Sequence, residues 1–295
     1  MSATAAAMQP AVDAFYNRFI AWAMAAPDVR AVIQIGEFDR KATNSPAWSD
    51  VDLLIATTQP QRRLAETDWL ARLGQPVMTF IESAGLADES QRRVVFDDGI
   101  DLDLVPVTTS RLRHWVDMGV AEDQSATGGR GYRVLVDKED FAPRLAEREG
   151  VGDASGRAEL PDRVQFGESV RDFWYQAGRC AKLVGRGDLW TARACCDVYM
   201  KRLLLRVLAW QTKVRHGDDT ETWYEGRNLE RWADDDQIDA LGETFARYDK
   251  DDIVRALFAT MALFSAAAHE AAGGLGYRYL EEAESAATAT IQRAL

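Results

Sequence analysis

Cysteine is nearly absent from this sequence: Cys180, Cys195 and Cys196 are the three in 295 residues. An odd count, with two of the three adjacent, shows no disulfide framework and matches no zinc-binding spacing. It fits a reducing compartment. Histidine is as scarce. His114, His216 and His269 lie far apart along the chain and are assigned neither a catalytic nor a metal-binding role. Positive charge is also short, with 35 Lys plus Arg against 47 Asp plus Glu and a formal net charge of -12. That deficit argues against a general nucleic-acid binder, because phosphate backbones are held mainly by Lys and Arg. It suits a cationic small-molecule ligand, which an acidic cleft would concentrate; the plain alternative is a solubilising acidic surface. Long apolar runs are missing from the N-terminal region. The stretch Phe19 to Ala26 is too short to span a bilayer, and Met1 to Gln9 has no basic leader, so the expectation is a cytoplasmic protein with no membrane partner.

What is present is ordinary for a globular protein: 47% hydrophobic and 28% charged residues, in a chain long enough for two domains. The first helix is expected over roughly 10–26, where Val12, Phe15, Phe19, Ile20 and Trp22 recur at helical spacing. The period then shortens. Strands are predicted at 31–35, ending at Gly36, and at 51–56, followed by a helix at 66–73 and a strand at 77–81. A hairpin is predicted from strands 93–97 and 100–107 around Asp98-Gly99, a strong turn signal between apolar runs. A last strand is expected at 132–136. Residues 1–142 therefore read as an α+β domain with a mixed, largely antiparallel sheet. The polar, glycine-containing stretch 143–163 reads as a linker. Residues 164–295 read as an all-helical bundle, with helices at 164–184, 189–216, 236–248, 253–272 and 279–295.

The chemistry concentrates in two strands. In Asp50-Val51-Asp52-Leu53, period-two geometry places both carboxylates on one face and Val51 and Leu53 on the other. Ile100-Asp101-Leu102-Asp103-Leu104 repeats the arrangement, with Ile100, Leu102 and Leu104 towards a core. Carboxylates so close repel unless a cation lies between them. Hard oxygen donors on rigid strands suit Mg2+ together with substrate phosphates. If the two strands are neighbours, three or four carboxylates converge, as phosphoryl or nucleotidyl transfer requires. The plain alternative is two amphipathic strands with acidic outer faces.

At these residues the sequence resembles the aminoglycoside 6-adenylyltransferases, the streptomycin adenylyltransferase family of the nucleotidyltransferase superfamily. The superfamily pattern is Gly-Ser, a spacer, Asp-x-Asp, and a third acid on a later strand. Gly36, Asp50 and Asp52 occupy the first places, and Ile100-Asp101-Leu102-Asp103-Leu104-Val105-Pro106 matches the family's third-strand signature, which makes Asp101 the third carboxylate. Phe173-Trp174, Ala181-Lys182, the run Asp197 to Trp210 and Gly276-Tyr277 look like its helical C-terminal domain. The resemblance implies a nucleotidyltransferase domain followed by a helical bundle, with the active site in the cleft between them. It implies transfer of AMP from ATP to a hydroxyl of a cationic aminoglycoside such as streptomycin. Mg2+ is then held by Asp50 and Asp52, while Asp101 binds a second metal or helps deprotonate the hydroxyl. One position departs from the pattern: Glu37 stands where the family has the serine that donates to a triphosphate oxygen. A glutamate cannot make that bond and brings negative charge to the same place. A nucleotidyltransferase with a different acceptor, or a weakly catalytic binding protein on the same scaffold, therefore stays open.

Other candidates have plainer readings beside them. Gly36, Glu37, Arg40 and Lys41 lie in the loop where a triphosphate would rest, although loop basics are commonly just exposed. Lys182, a point charge suited to phosphate, could also be a solvated helix-end lysine. Trp174, Trp190, Trp210, Trp223 and Trp232 could stack on an adenine or sugar ring, but tryptophan is more often core. The acidic runs at 218–221 and 234–236 could gather a cation, or simply cap and solvate helices.

Overall fold

The change of period after residue 26 becomes a six-stranded sheet in a computed structural model of the protein, which describes residues 3–35, 50–84, 89–118, 132–146, 159–220, 222 and 226–295. The chain divides into two units, Met1–Ser155 and Gly156–Leu295.

In the first unit, α1 (Ala3–Ala25) precedes β1 (Val29–Ile35), β2 (Val51–Thr57) and α2 (Pro60–Ala65). Next come β3 (Pro76–Ser83), β4 (Ser90–Phe96), β5 (Asp101–Thr108), α3 (Thr109–Met118), β6 (Tyr132–Asp137) and α4 (Phe141–Ala146). The strand order is β3-β4-β5-β2-β1-β6. The β2–β5 pair is parallel and the other pairs are antiparallel. The hairpin turns at Asp98-Gly99, where Gly99 takes φ +82°, a conformation that disfavours any side chain.

Both faces of the central strands are buried. On one face Phe15, Phe19 and Trp22 of α1 pack over Val51, Leu53, Leu102, Leu104 and Phe96. On the other, Leu112, Trp115 and Val116 of α3, with Phe141, cover Leu54, Ala56, Val105 and Val107. The first core is braced by Trp22 stacked on Trp69 at 4.4 Å, with the Arg63 guanidinium over both rings.

Some boundaries differ from the sequence reading. Helix α1 begins at Ala3, before Pro10, because the alanine-rich start favours helix. The helix expected at 66–73 is instead α2, started by Pro60 at its first turn, and a short 3₁₀ turn over Asp68–Arg72. Helix α4 carries regular structure past residue 142.

The second unit is helical, with α5 (Arg163–Gly185), α6 (Leu189–Ala194), α7 (Lys201–His216), α8 (Leu229–Trp232), α9 (Asp235–Gly242), α10 (Lys250–Leu275) and α11 (Glu281–Ala294). Asp162 and Gln165 form a capping box at the start of α5. The stretch predicted as one helix over 189–216 is helical throughout, but a wider i→i+5 turn, Cys195–Met200, joins α6 to α7. The helix predicted over 236–248 stops at Gly242. Beyond it the carbonyls of Glu243, Thr244, Phe245 and Ala246 are taken by Arg255, Lys201, Arg255 and Arg193, which hold the segment out of helix. Phe173 stacks on Phe264 at 3.5 Å in the core, and Trp174 Nε1 donates to the Tyr279 hydroxyl at 2.8 Å. By length and composition α10 could cross a membrane. Here Ile253, Leu257 and Phe264 bury one side of it in the bundle.

Candidate active site

The parallel pairing of β2 and β5 decides where the carboxylates go. Both strands begin at the same end of the sheet, and Asp52 is in register with Asp103, one step after Val51 with Leu102. Paired residues share a face, so Asp52 and Asp103 stand side by side about one strand spacing, ~4.8 Å, apart. The same alternation puts Asp50 and Asp101 on that face, at the strand beginnings. Towards the other end the face turns apolar: Leu54 follows Asp52, and Val105 follows Asp103, both beneath α3. The acids therefore form a four-carboxylate patch at the open end of a face whose other end is core.

Register extends the row. Asp103 pairs with Arg93 of β4, and the Arg93 Nη2 lies 3.2 Å from Asp103 Oδ2. Arg93 Nε also donates to Glu82 of β3. Asp103 is 8% exposed, Asp52 is half-buried, and Asp50 and Asp101 are exposed. Burial pushes the Asp103 carboxyl up to about 6; Arg93 opposes the shift, and Asp52, Asp50 and Asp101 add to it. Asp101 is raised as well, by burial first and then by Asp50. Asp103 and Asp101, whose ionisation is hindered by burial and by the acids beside them, belong with Asp50 and Asp52 to a donor set that a divalent cation would relieve, since Arg93 is already engaged by Asp103 and Glu82. The oxygens, their rigid strands and their spacing fit Mg2+. The exposed Asp50 and Asp101 are available to it, whereas Asp103 is held back by Arg93.

Gly36, Glu37, Arg40 and Lys41 lie outside the described residues. Lys182 is exposed in the last turn of α5, in the second unit, where a lysine also complements the helix dipole. Of the tryptophans, Trp174, Trp210 and Trp232 are buried and Trp190 is exposed, its ring 6.4 Å from that of Tyr248; Trp223 lies outside the described residues. The acidic runs are partly internal ties: Asp218 pairs with Lys213, while Asp234 and Asp236 bind Arg215. The residue that sequence reasoning missed is Arg93. A two-residue turn at Asp98-Gly99 would set Arg93 opposite Leu104; the hairpin instead closes at Phe96 and Ile100, around Asp97, Asp98 and Gly99, which sets Arg93 opposite Asp103.

A mixed sheet with paired carboxylates at the start of two neighbouring strands, followed by a helical bundle, is the architecture of a two-part nucleotidyltransferase. The family profile described as streptomycin adenylyltransferase matches residues 11–293, and the chain belongs to that family. An aminoglycoside 6-adenylyltransferase of Bacillus subtilis (strain 168) is 20% identical over 269 residues, covering 88% of this chain and 90% of that one. Among solved structures, an aminoglycoside 6-adenyltransferase from Bacillus subtilis aligns over 93% of this chain and 95% of its own, at 18% identity and a TM-score of 0.44. A nucleotidyltransferase-like protein from Exiguobacterium sibiricum 255-15 aligns over 88% and 75%, at 12% identity and a TM-score of 0.31.

Proposed function

We propose that the protein transfers AMP from ATP to a hydroxyl of a cationic aminoglycoside such as streptomycin, in a Mg2+-dependent reaction. The observation that carries the reading is the register of Asp52 against Asp103, which joins Asp50, Asp52 and Asp101 into one oxygen-donor patch. Asp50 and Asp52 would hold the metal, and Asp101 would share it or take the proton of the attacking hydroxyl. Bound Mg2+ would supply charge neutralisation for the triphosphate and the departing pyrophosphate. Asp103, tied to Arg93, keeps the patch in register and contributes negative potential without facing outward. Gly36, Glu37, Arg40 and Lys182 are the proposed contacts to the nucleotide, on the strength of the family pattern. Membership of the streptomycin adenylyltransferase family and the acidic net charge of -12 support a cationic acceptor.

The test is release of pyrophosphate from ATP and Mg2+ against a panel of aminoglycosides, with product mass as the second readout. Mass gain of one adenylyl group on streptomycin, lost in Asp50→Asn, supports the reading. Nucleotide binding without turnover on any aminoglycoside counts against it.

A further inference from the structure

The helical unit brings together an imidazole and two carboxylates, side chains of metal-ligand type, that have no part in the proposed nucleotidyl transfer. His269, in α10, and Glu281 and Glu284, in the first turns of α11, each bring a donor atom within 4.8 Å of the others. His269 Nε2 is 3.7 Å from Glu281 Oε1. Around a tetrahedral zinc with bonds of about 2.0–2.2 Å, neighbouring donors are roughly 3.4 Å apart. That pair is already close to coordinating distance. Glu281 is exposed and can rotate to complete the closure.

The other two ligands are held from behind. Glu284 Oε2 accepts from the Tyr279 hydroxyl at 2.7 Å and from Ser265 Oγ at 3.0 Å. The Tyr279 hydroxyl itself accepts from Trp174 Nε1 at 2.8 Å in the bundle core. The His269 ring lies against the Tyr279 ring, with centroids 3.8 Å apart. One buried tyrosine thus orients both an imidazole and a carboxylate, the kind of support that fixes metal ligands. Acids at the start of α11 also favour the helix dipole, and Glu281, Glu282 and Glu284 all lie in that turn. The dipole accounts for neither the Tyr279 and Ser265 clamp on Glu284 nor the imidazole brought up from α10.

We propose that His269, Glu281 and Glu284 bind a divalent transition metal of the zinc class, with water completing the coordination, and thereby pin α11 to α10. An imidazole with two carboxylates suits zinc better than magnesium, which prefers oxygen alone.

The experiment uses the full chain without nucleotide. Zinc chloride is titrated by calorimetry and by thermal unfolding, and Co2+ absorption reports a tetrahedral site. One zinc per chain and a raised melting temperature are expected in the native protein and equally in Asp50→Asn/Asp52→Asn. His269→Ala should lose both. Glu281→Ala, at an exposed position that leaves the bundle intact, should also lose most of the response. Ser265→Ala, which removes no ligand, should weaken zinc by about tenfold. The assignment is overturned if zinc leaves the native protein unchanged, if Glu281→Ala and His269→Ala respond as the native chain does, or if the response disappears only in the Asp50/Asp52 variant.

Discussion

Asp52 and Asp103 stand side by side, in direct register, across the parallel pair of β2 and β5. The consequence is geometric. Acids separated by some fifty residues become nearest neighbours, and each brings the acid two positions before it. An antiparallel pairing of the same two strands would have put Asp50 and Asp101 at opposite ends.

If that patch holds Mg2+ and nucleotide, the two together raise the melting temperature of the native protein. A ligand at a hundredfold excess over its dissociation constant contributes about 2.7 kcal/mol. Asp50→Asn with Asp52→Asn is expected to remove most of that gain. Differential scanning fluorimetry with and without Mg2+ and ATP measures it, and an undiminished shift in the double variant assigns the site elsewhere.

Asp103 gives a pH prediction of opposite sign to the usual carboxylate. Its pKa in the folded chain, about 6, lies above the ordinary value of an aspartate. The folded state therefore holds a proton that the unfolded state releases between about pH 4 and 6, and stability falls as pH rises through that window. The resulting destabilisation is roughly 3 kcal/mol above pH 6 and vanishes below pH 4. In metal-free buffer, Asp103→Asn should stabilise the protein at pH 7 by up to about that amount and change little at pH 4. Urea unfolding at the two pH values decides.

Asp28 behaves conversely. It accepts from Arg63 Nε at 2.8 Å and from Thr57 Oγ1 at 3.0 Å, with both partners of the ion pair largely buried. Chiefly through the Arg63 hydrogen bond, its carboxyl is held below the ordinary range. The stabilisation is complete above about pH 4 and is lost as pH falls through the depressed value. Asp28→Asn leaves Arg63, which lies beside the Trp22–Trp69 stack, without its charged partner, at a cost of about 3–5 kcal/mol at pH 7. Native and variant stabilities should converge in acid, which equilibrium denaturation along a pH series would reveal.

By the sequence resemblance alone, Glu37 stands where the family has a serine that donates a hydrogen bond to a triphosphate oxygen. Two like charges about 4 Å apart at an effective dielectric near 20 repel by roughly 4 kcal/mol. Even a third of that is close to tenfold in affinity. Glu37→Ser should tighten ATP binding about tenfold and raise adenylylation. Side-by-side ATP titration and turnover measure it, and a loss of both would identify Glu37 as a ligand rather than a hindrance.

Much of this was legible in the residues. Alternation in Asp50 to Leu53 and in Ile100 to Leu104 gave the acidic faces, and Asp98-Gly99 gave the hairpin. The parallel pairing of β2 with β5 could not be read, because register between strands that are distant in sequence is a tertiary choice. Helix α3 was readable but hidden. It starts at the residue after β5, with no turn residue between them, although Leu112, Trp115 and Val116 have helical spacing. Arg93 was overlooked because its partner depends on the length of the turn: two turn residues would set it opposite Leu104, and the three observed set it opposite Asp103. The early end of α9 depends on Arg193, Lys201 and Arg255, residues remote from it whose reach no local pattern reports.

The single sheet face that is acidic at one end and apolar at the other ties chemistry to folding. Leu54 and Val105, packed under α3, lie two residues along the same rigid strands from Asp52 and Asp103. A substitution that repacks the α3 core also moves the carboxylates, so within this unit activity and stability are inherited together. Divergence towards a new acceptor has its freedom in segments that are not strung between these two strands.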